Sequence, residues 1–79
     1  MRLDKYLKVS RLIKRRTVAG EACSGGRVSV NGKVAKPSHD VKPGDVLELS
    51  FGQKTLRVQI LSVQETVRKD DASGMYKEL

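Results

Sequence analysis

Hydrophobic and polar positions divide this chain into two short helical segments followed by a run of strands. Leu3, Tyr6, Leu7 and Ser10 recur at i, i+3, i+4 and i+7, which predicts an amphipathic helix of about two turns with Lys5 and Lys8 on the opposite side. Asp4 stands four residues before Lys8, the favourable order for a local ion pair, so its first reading is structural and not catalytic. A second helix is expected from about Arg15 to Ser24, with Val18, Ala19, Ala22 and Cys23 as an apolar face whose small side chains allow close approach to a neighbour. Gly20 weakens that helix, and Gly25-Gly26 ends it, because glycine accepts the left-handed conformation found after helix C-termini.

The period then changes from 3.6 to 2. Arg27-Val28-Ser29-Val30 alternates, Asn31-Gly32 supplies a two-residue hairpin turn that needs positive φ at both positions, and Lys33-Val34-Ala35 returns. Lys36-Pro37-Ser38-His39-Asp40 reads as a loop and Lys42-Pro43-Gly44-Asp45 as a tight turn. Two longer strands follow, Val46 to Phe51 and Thr55 to Val63, around Gly52-Gln53. Asp70 or Asp71 is placed to cap a short C-terminal helix ending near Leu79. The order predicts one α+β domain over residues 1–63 and a C-terminal tail over 64–79, with no repeat and no low-complexity tract.

Charge changes the picture. The chain has 79 residues, 16 Lys and Arg, nine Asp and Glu and a formal net charge of +7. Seven of those cations (Arg2, Lys5, Lys8, Arg11, Lys14, Arg15 and Arg16) and only one acid, Asp4, fall in the first sixteen residues, so nearly all of the surplus sits on the two helices and the segment between them. The acids that balance an ordinary solvated helical face are missing. Such a one-sided field favours a polyanionic partner, and nucleic acid comes first.

Other classes are poorly supported. Cys23 is the single cysteine, which excludes an internal disulfide and fits a reducing cytoplasmic setting. On the small-residue helical face it reads as a buried small hydrophobe. No apolar run approaches about 20 residues, and the N-terminus lacks the apolar region of a secretory signal. His39 has no second ligand or nucleophile beside it, Asp45 and Ser38 read as turn residues, and no phosphate loop, zinc spacing or catalytic triad is present; the expectation is a protein that is not an enzyme and holds no cofactor or metal. An anchor on anionic membrane needs a larger apolar face than Leu3, Tyr6 and Leu7 provide. A helix-turn-helix DNA reader is the rival of another class, but its second helix would offer a groove only small residues.

Helix, helix, Asn-Gly hairpin, Pro-Ser loop, Gly-Asp turn and strand, carried by Arg2-Leu3-Asp4, Leu7, Ser10-Arg11, Arg16, Ala19, Gly26, Val28, Val30-Asn31-Gly32, Pro37-Ser38, Val41 and Pro43-Gly44-Asp45, resemble the S4 RNA-binding domain family over about two thirds of the chain. The resemblance implies an S4-like (αL) α+β fold, two N-terminal helices on a small, mostly antiparallel sheet of about four or five strands with a short C-terminal helix. It also implies that the helices and hairpin form the RNA-binding face. The candidate contacts on the helices are Arg2, Lys5, Lys8, Ser10, Arg11, Lys14, Arg15, Arg16 and Thr17; those on the hairpin are Arg27, Asn31 and Lys33. Two departures stand out: Arg15 occupies the place where many members have a capping Ser or Thr, and Ala22 and Cys23 replace a larger apolar pair.

The run Met1 to Ala19 together with Phe51-Gly52-Gln53-Lys54 resembles more narrowly the bacterial ribosome-associated quality control family RqcP, related to the heat-shock S4 protein. That resemblance implies binding to obstructed large ribosomal subunits, with contacts to large-subunit rRNA and P-site peptidyl-tRNA, beside the alanine-tailing factor RqcH. It implies a cytoplasmic, ribosome-associated protein that is monomeric off the ribosome and has no membrane partner. General large-subunit rescue of the heat-shock S4 type is the alternative within RNA binding.

Overall fold

The structure, a computed structural model, describes residues 1–65 and 68–79; residues 66 and 67 of the expected tail lie outside them. The chain runs through helix α1 (Leu3–Val9), helix α2 (Arg16–Ser24), strands β1 (Val28–Val30), β2 (Lys33–Val34), β3 (Val46–Phe51) and β4 (Lys54–Ile60), a 3-10 helix (Lys69–Met75) and strand β5 (Tyr76–Glu78). The strands form one antiparallel sheet in the order β2-β1-β3-β4-β5.

The helices pack on one face of this sheet. Leu3, Tyr6 and Leu7 of α1, fully buried, meet Ala19, Ala22 and Cys23 of α2 and the inward row Val28, Val30, Leu47, Leu49, Val58 and Ile60. The small α2 side chains let the two helices approach closely, as the sequence pattern requires. Val18 departs from the expected apolar face: it is 46% exposed, and Ala19, Ala22 and Cys23 alone carry the contact. The outer face of the sheet is polar, with Glu48 and Arg57 opposite one another and paired at 3.0 Å. An exposed pair of this kind contributes roughly 0.2–1 kcal/mol.

Turn chemistry sets the register. Asn31 and Gly32 both take positive φ, 52° and 85°, so the β1–β2 hairpin closes with its strands twisted together. Gly44, at φ 96°, follows Pro43 in a turn closed by the Asp45 N–H donating to the Lys42 carbonyl at 3.1 Å. These two turns are locked to each other. The Asn31 side-chain oxygen accepts from the Val46 N–H at 3.0 Å, and its amide nitrogen donates to Asp45 Oδ1 at 3.1 Å.

The C-terminal region differs from the pattern in the sequence. Strand β4 ends at Ile60, because the Leu61 and Ser62 N–H groups turn aside to the Met75 carbonyl at 2.8 and 3.2 Å. The expected C-terminal helix is a 3-10 segment that stops at Met75, and Tyr76–Glu78 then add a strand beside β4. Asp70, Asp71, Ser73 and Gly74 are poor helix formers, which explains the tight, short turn. Ala72 and Met75 are buried, and the Tyr6 hydroxyl donates to the Met75 carbonyl at 2.9 Å, so the end of the chain closes the core beneath α1. Burial, followed by the neighbouring Tyr76, pushes the Tyr6 phenol well above its ordinary pKa.

Candidate nucleic-acid interface

The site is built around one acid. Asp4 lies in the first turn of α1, where the helix dipole favours negative charge, and it is only 7% exposed. Its carboxylate accepts from Arg2 through Nε and Nη2, each at 3.2 Å, and from the Lys5 backbone N–H at 2.8 Å. Arg16, at the first position of α2, brings Nη2 to 3.6 Å from the same Oδ1. The expected Asp4–Lys8 pair is therefore replaced: the burial of Asp4 turns its carboxylate toward the interhelical seam, while Lys8 stays exposed on the outer side. Two guanidinium groups whose side chains remain about half exposed, 54% for Arg2 and 48% for Arg16, are thus held by one carboxylate, one from the residue before α1 and one from the first turn of α2. A planar fork pinned on one edge keeps its other donors directed outward, which suits phosphate recognition.

The N-terminus of α1 is held as firmly. The Leu3 and Asp4 N–H groups, left without intrahelical partners, donate to the His39 and Pro37 carbonyls at 2.8 and 3.1 Å, and the Val41 N–H donates to the Met1 carbonyl at 2.9 Å. The segment 36–40 thus acts as a strap across the helix start. The N-terminal ammonium donates to Asp40 at 2.6 Å, and this hydrogen bond, with the attraction of the same charge, holds the Asp40 carboxyl below its usual range. Pro37 serves through its carbonyl, a role that the sequence pattern of the loop does not reveal.

The segment between the helices presents further cations. Arg11 has φ 63°, a conformation usually left to glycine or asparagine, and closes α1 with its N–H on the Lys8 carbonyl at 3.1 Å. Its side chain is exposed, as are those of Lys14, Arg15, Arg16 and Thr17. Arg15 is extended at φ −118° and makes no capping bond, so the first N–H groups of α2 gain no side-chain partner from the position where a Ser or Thr would supply one. Lys5 is partly exposed and ion-paired with Glu65.

Two of the expected contacts are also engaged within the protein. Ser10 is 1% exposed and its hydroxyl donates to the Leu7 carbonyl at 3.3 Å, which leaves it little surface to offer a partner. The same spacing that placed it in line with Leu3 and Leu7 buries it. Asn31 is at the surface, yet its amide is occupied by the Val46 N–H and the Asp45 carboxylate, which makes it a clamp between turns. Arg27 and Lys33 are exposed at the two ends of the hairpin.

Cys23 is buried, and burial, with the nearby Asp4 carboxylate adding to it, pushes its thiol up to about 11, so it stays protonated at neutral pH. Among the described residues no group of three or more His, Cys, Asp and Glu is placed to hold a metal, and no helix is long and apolar enough to cross a membrane. Every buried side-chain nitrogen or oxygen among them has a hydrogen-bond partner.

Comparison with known proteins covers this same region. The sequence model of the S4 domain matches residues 1–47, which include both helices, the first hairpin and the strap. Over 77 residues the chain is 61% identical to the RQC P-site tRNA stabilizing factor of Halalkalibacterium halodurans, covering 98% of this chain and 88% of that protein. It is 58% identical over 76 residues to the factor of the same name from Bacillus subtilis, covering 96% and 88%. The trimeric structure of Vibrio cholerae Heat Shock Protein 15 superposes with a TM-score of 0.93 at 34% identity, covering all of this chain and 81% of that one.

Proposed function

The chain belongs to the S4 domain family and, within it, to the RQC P-site tRNA stabilizing factors, and we propose that it serves bacterial ribosome-associated quality control as an RNA-binding accessory protein. On this reading it binds the obstructed large ribosomal subunit in the cytoplasm, touches large-subunit rRNA and P-site peptidyl-tRNA together, and supports alanine tailing by RqcH. Its contribution is positional, with no bond made or broken by the protein itself.

The observation that carries this reading is the Arg2–Asp4–Arg16 cluster at the head of a cationic surface with almost no balancing acid. Structured RNA is recognised through its shape, phosphates and 2′-hydroxyls, and a small rigid platform of fixed guanidinium groups suits a junction of two RNA molecules. Arg2, Arg11, Lys14, Arg15, Arg16 and Thr17 form the centre of the contact. Lys5 and Lys8 extend it along α1, and Arg27 and Lys33 extend it to the hairpin. With roughly four to six phosphate contacts, the logarithm of affinity falls with the logarithm of salt with a slope of about −3 to −5.

Co-sedimentation from cell lysate at low and moderate salt, with Arg16→Ala alongside, tests the proposal. Migration with large subunits that carry peptidyl-tRNA, lost in the variant, is the expected result. Protein that stays at the top of the gradient overturns it. The likeness to Heat Shock Protein 15 favours a second reading, general large-subunit rescue, in which the protein instead follows subunits irrespective of whether they hold peptidyl-tRNA and is indifferent to loss of RqcH.

A further inference from the structure

Beside the cationic surface, between the C-terminal end of α2, strand β2 and the strap, lies a cavity of about 580 Å³. Arg2, Ser24, Val34, Lys36, Pro37 and Ser38 line it, and no acidic side chain does. Its walls differ in character. Val34 is 66% exposed and, with Pro37, gives an apolar side; Arg2 and Lys36 supply two cations; Ser24 and Ser38 supply hydroxyls. Arg2 belongs to both the cavity and the cluster described above. Its Nε and Nη2 are spent on Asp4, which leaves the Nη1 edge of the guanidinium uncommitted to that carboxylate. The strap wall is fixed in advance by the Asp4 N–H to Pro37 and Leu3 N–H to His39 hydrogen bonds, so little ordering is required on binding.

We infer that this cavity is a subsite for one unpaired nucleotide of the bound RNA, with its base against Val34 and Pro37 and its phosphate between Arg2 and Lys36. The inference rests on the RNA-binding reading above and adds a preference to it. A paired RNA helix is convex and engages the cationic ridge. A recess of this size is filled by a single extruded unit, since pockets of roughly 300–1,000 Å³ take small ligands and single nucleotides are read by extrusion. Two cations in a lining that includes no acid, Arg2 being held from behind by Asp4 and continuous with the cationic surface, favour a nucleotide over a second copy of this chain. Hydroxyl groups from Ser24 and Ser38 match the ribose and base edges.

The test compares a fully paired RNA hairpin with the same hairpin carrying one extruded nucleotide, by fluorescence anisotropy at matched salt, using the full chain, Val34→Ser and Arg2→Ala. Val34 is exposed, so its replacement leaves the core intact. Burying about 40 Å² of apolar surface corresponds to roughly a fivefold preference for the extruded hairpin. Val34→Ser is expected to abolish that preference while its affinity for the paired hairpin is unchanged, and Arg2→Ala to weaken both. Equal binding of the two hairpins by the full chain, or a preference retained in Val34→Ser, overturns the subsite and leaves the RNA-binding reading standing. Failure to bind either hairpin at low salt overturns both. Concentration-dependent self-association that Val34→Ser disperses assigns the cavity to a second copy and also overturns the inference.

Discussion

Arg16 at the start of the second helix reaches Asp4 in the first turn of the first helix, Nη2 to Oδ1 at 3.6 Å. The same carboxylate holds Arg2 through two nitrogens. A buried acid is therefore the device that arranges the two arginines. Both arginines are about half exposed, so solvent screening limits each pair to about 1 kcal/mol or less.

Asp4→Asn is the variant that separates the effect on stability from the effect on RNA affinity. Asparagine keeps the shape and can still accept from the Lys5 N–H, but it no longer fixes two guanidinium groups by charge. The expected outcome is a loss of unfolding stability of about 1 kcal/mol, together with about a fivefold or greater loss of RNA affinity. Urea denaturation and RNA binding at matched salt read the two quantities. An affinity unchanged in Asp4→Asn would show that Arg2 and Arg16 need no positioning.

Arg11 gives the opposite separation. Its φ of 63° costs a non-glycine residue about 1–2 kcal/mol, offset in part by the greater freedom of glycine in the unfolded chain. Arg11→Gly should therefore leave stability unchanged or raise it by up to about 1 kcal/mol. RNA affinity should fall, and the salt slope should become shallower by roughly 0.7–0.9 if one phosphate contact is lost. A slope equal to that of the unaltered chain removes Arg11 from the interface.

Much of this arrangement was legible from residue spacing, and the exceptions have physical causes. Leu3, Tyr6, Leu7 and Ser10 announce the inward face of α1, and Asn31-Gly32 announces its hairpin, because each signal is local. The i,i+4 rule pairs Asp4 with Lys8 because it sees only one helix, whereas the partners of Asp4 come from before the helix and from the next one. The Arg-x-Asp spacing at the helix start was the available signal for half of that cluster. Ser10 and Asn31 were placed on the RNA face by family resemblance, and only tertiary contacts show that their polar atoms are used internally. Strand β5 has no local signal, since Tyr76–Glu78 has no alternation of its own and is defined by pairing with β4.

Asn31→Ala tests the clamp directly. It removes the bonds to Val46 and Asp45 and places alanine at φ 52°, for an expected destabilisation of about 1–3 kcal/mol. The salt slope of RNA binding should not change, because no phosphate contact is lost. A reduced slope in the folded variant would return Asn31 to the interface.

The pH dependence has two limbs. Cys23 holds its proton in the folded state up to about 11, while in the unfolded chain it ionises near its ordinary value of 9.0. Its contribution is fully present below pH 9 and is lost as pH rises toward 11, with Tyr6, also raised, adding loss in the same direction. Asp40 behaves in the reverse sense. Its carboxyl is depressed below 3.8 by the N-terminal ammonium, so its contribution is present above that value and disappears as pH falls below it. Urea denaturation across both ranges should show stability falling at either end, and Cys23→Ala should flatten part of the alkaline limb. An alkaline limb identical in Cys23→Ala would mean the thiol is not shielded.

Tyr6 and Met75 link α1 to the end of the chain, and two substitutions weigh that link. Tyr6→Phe removes the hydroxyl that donates to the Met75 carbonyl. That carbonyl still accepts from the Leu61 and Ser62 N–H groups, so no orphaned acceptor remains and the expected cost is only about 1 kcal/mol. Met75→Ala empties a site that is 1% exposed and should cost about 2–5 kcal/mol. In a chain this small, such a loss is a large share of the total stability. Chemical denaturation should therefore rank Met75→Ala well below Tyr6→Phe. RNA affinity measured on the folded fraction should be unchanged in both, because neither residue touches the cationic surface. The reverse ranking would show that the hydroxyl, and not the packing of the C-terminal segment beneath α1, holds that segment in place.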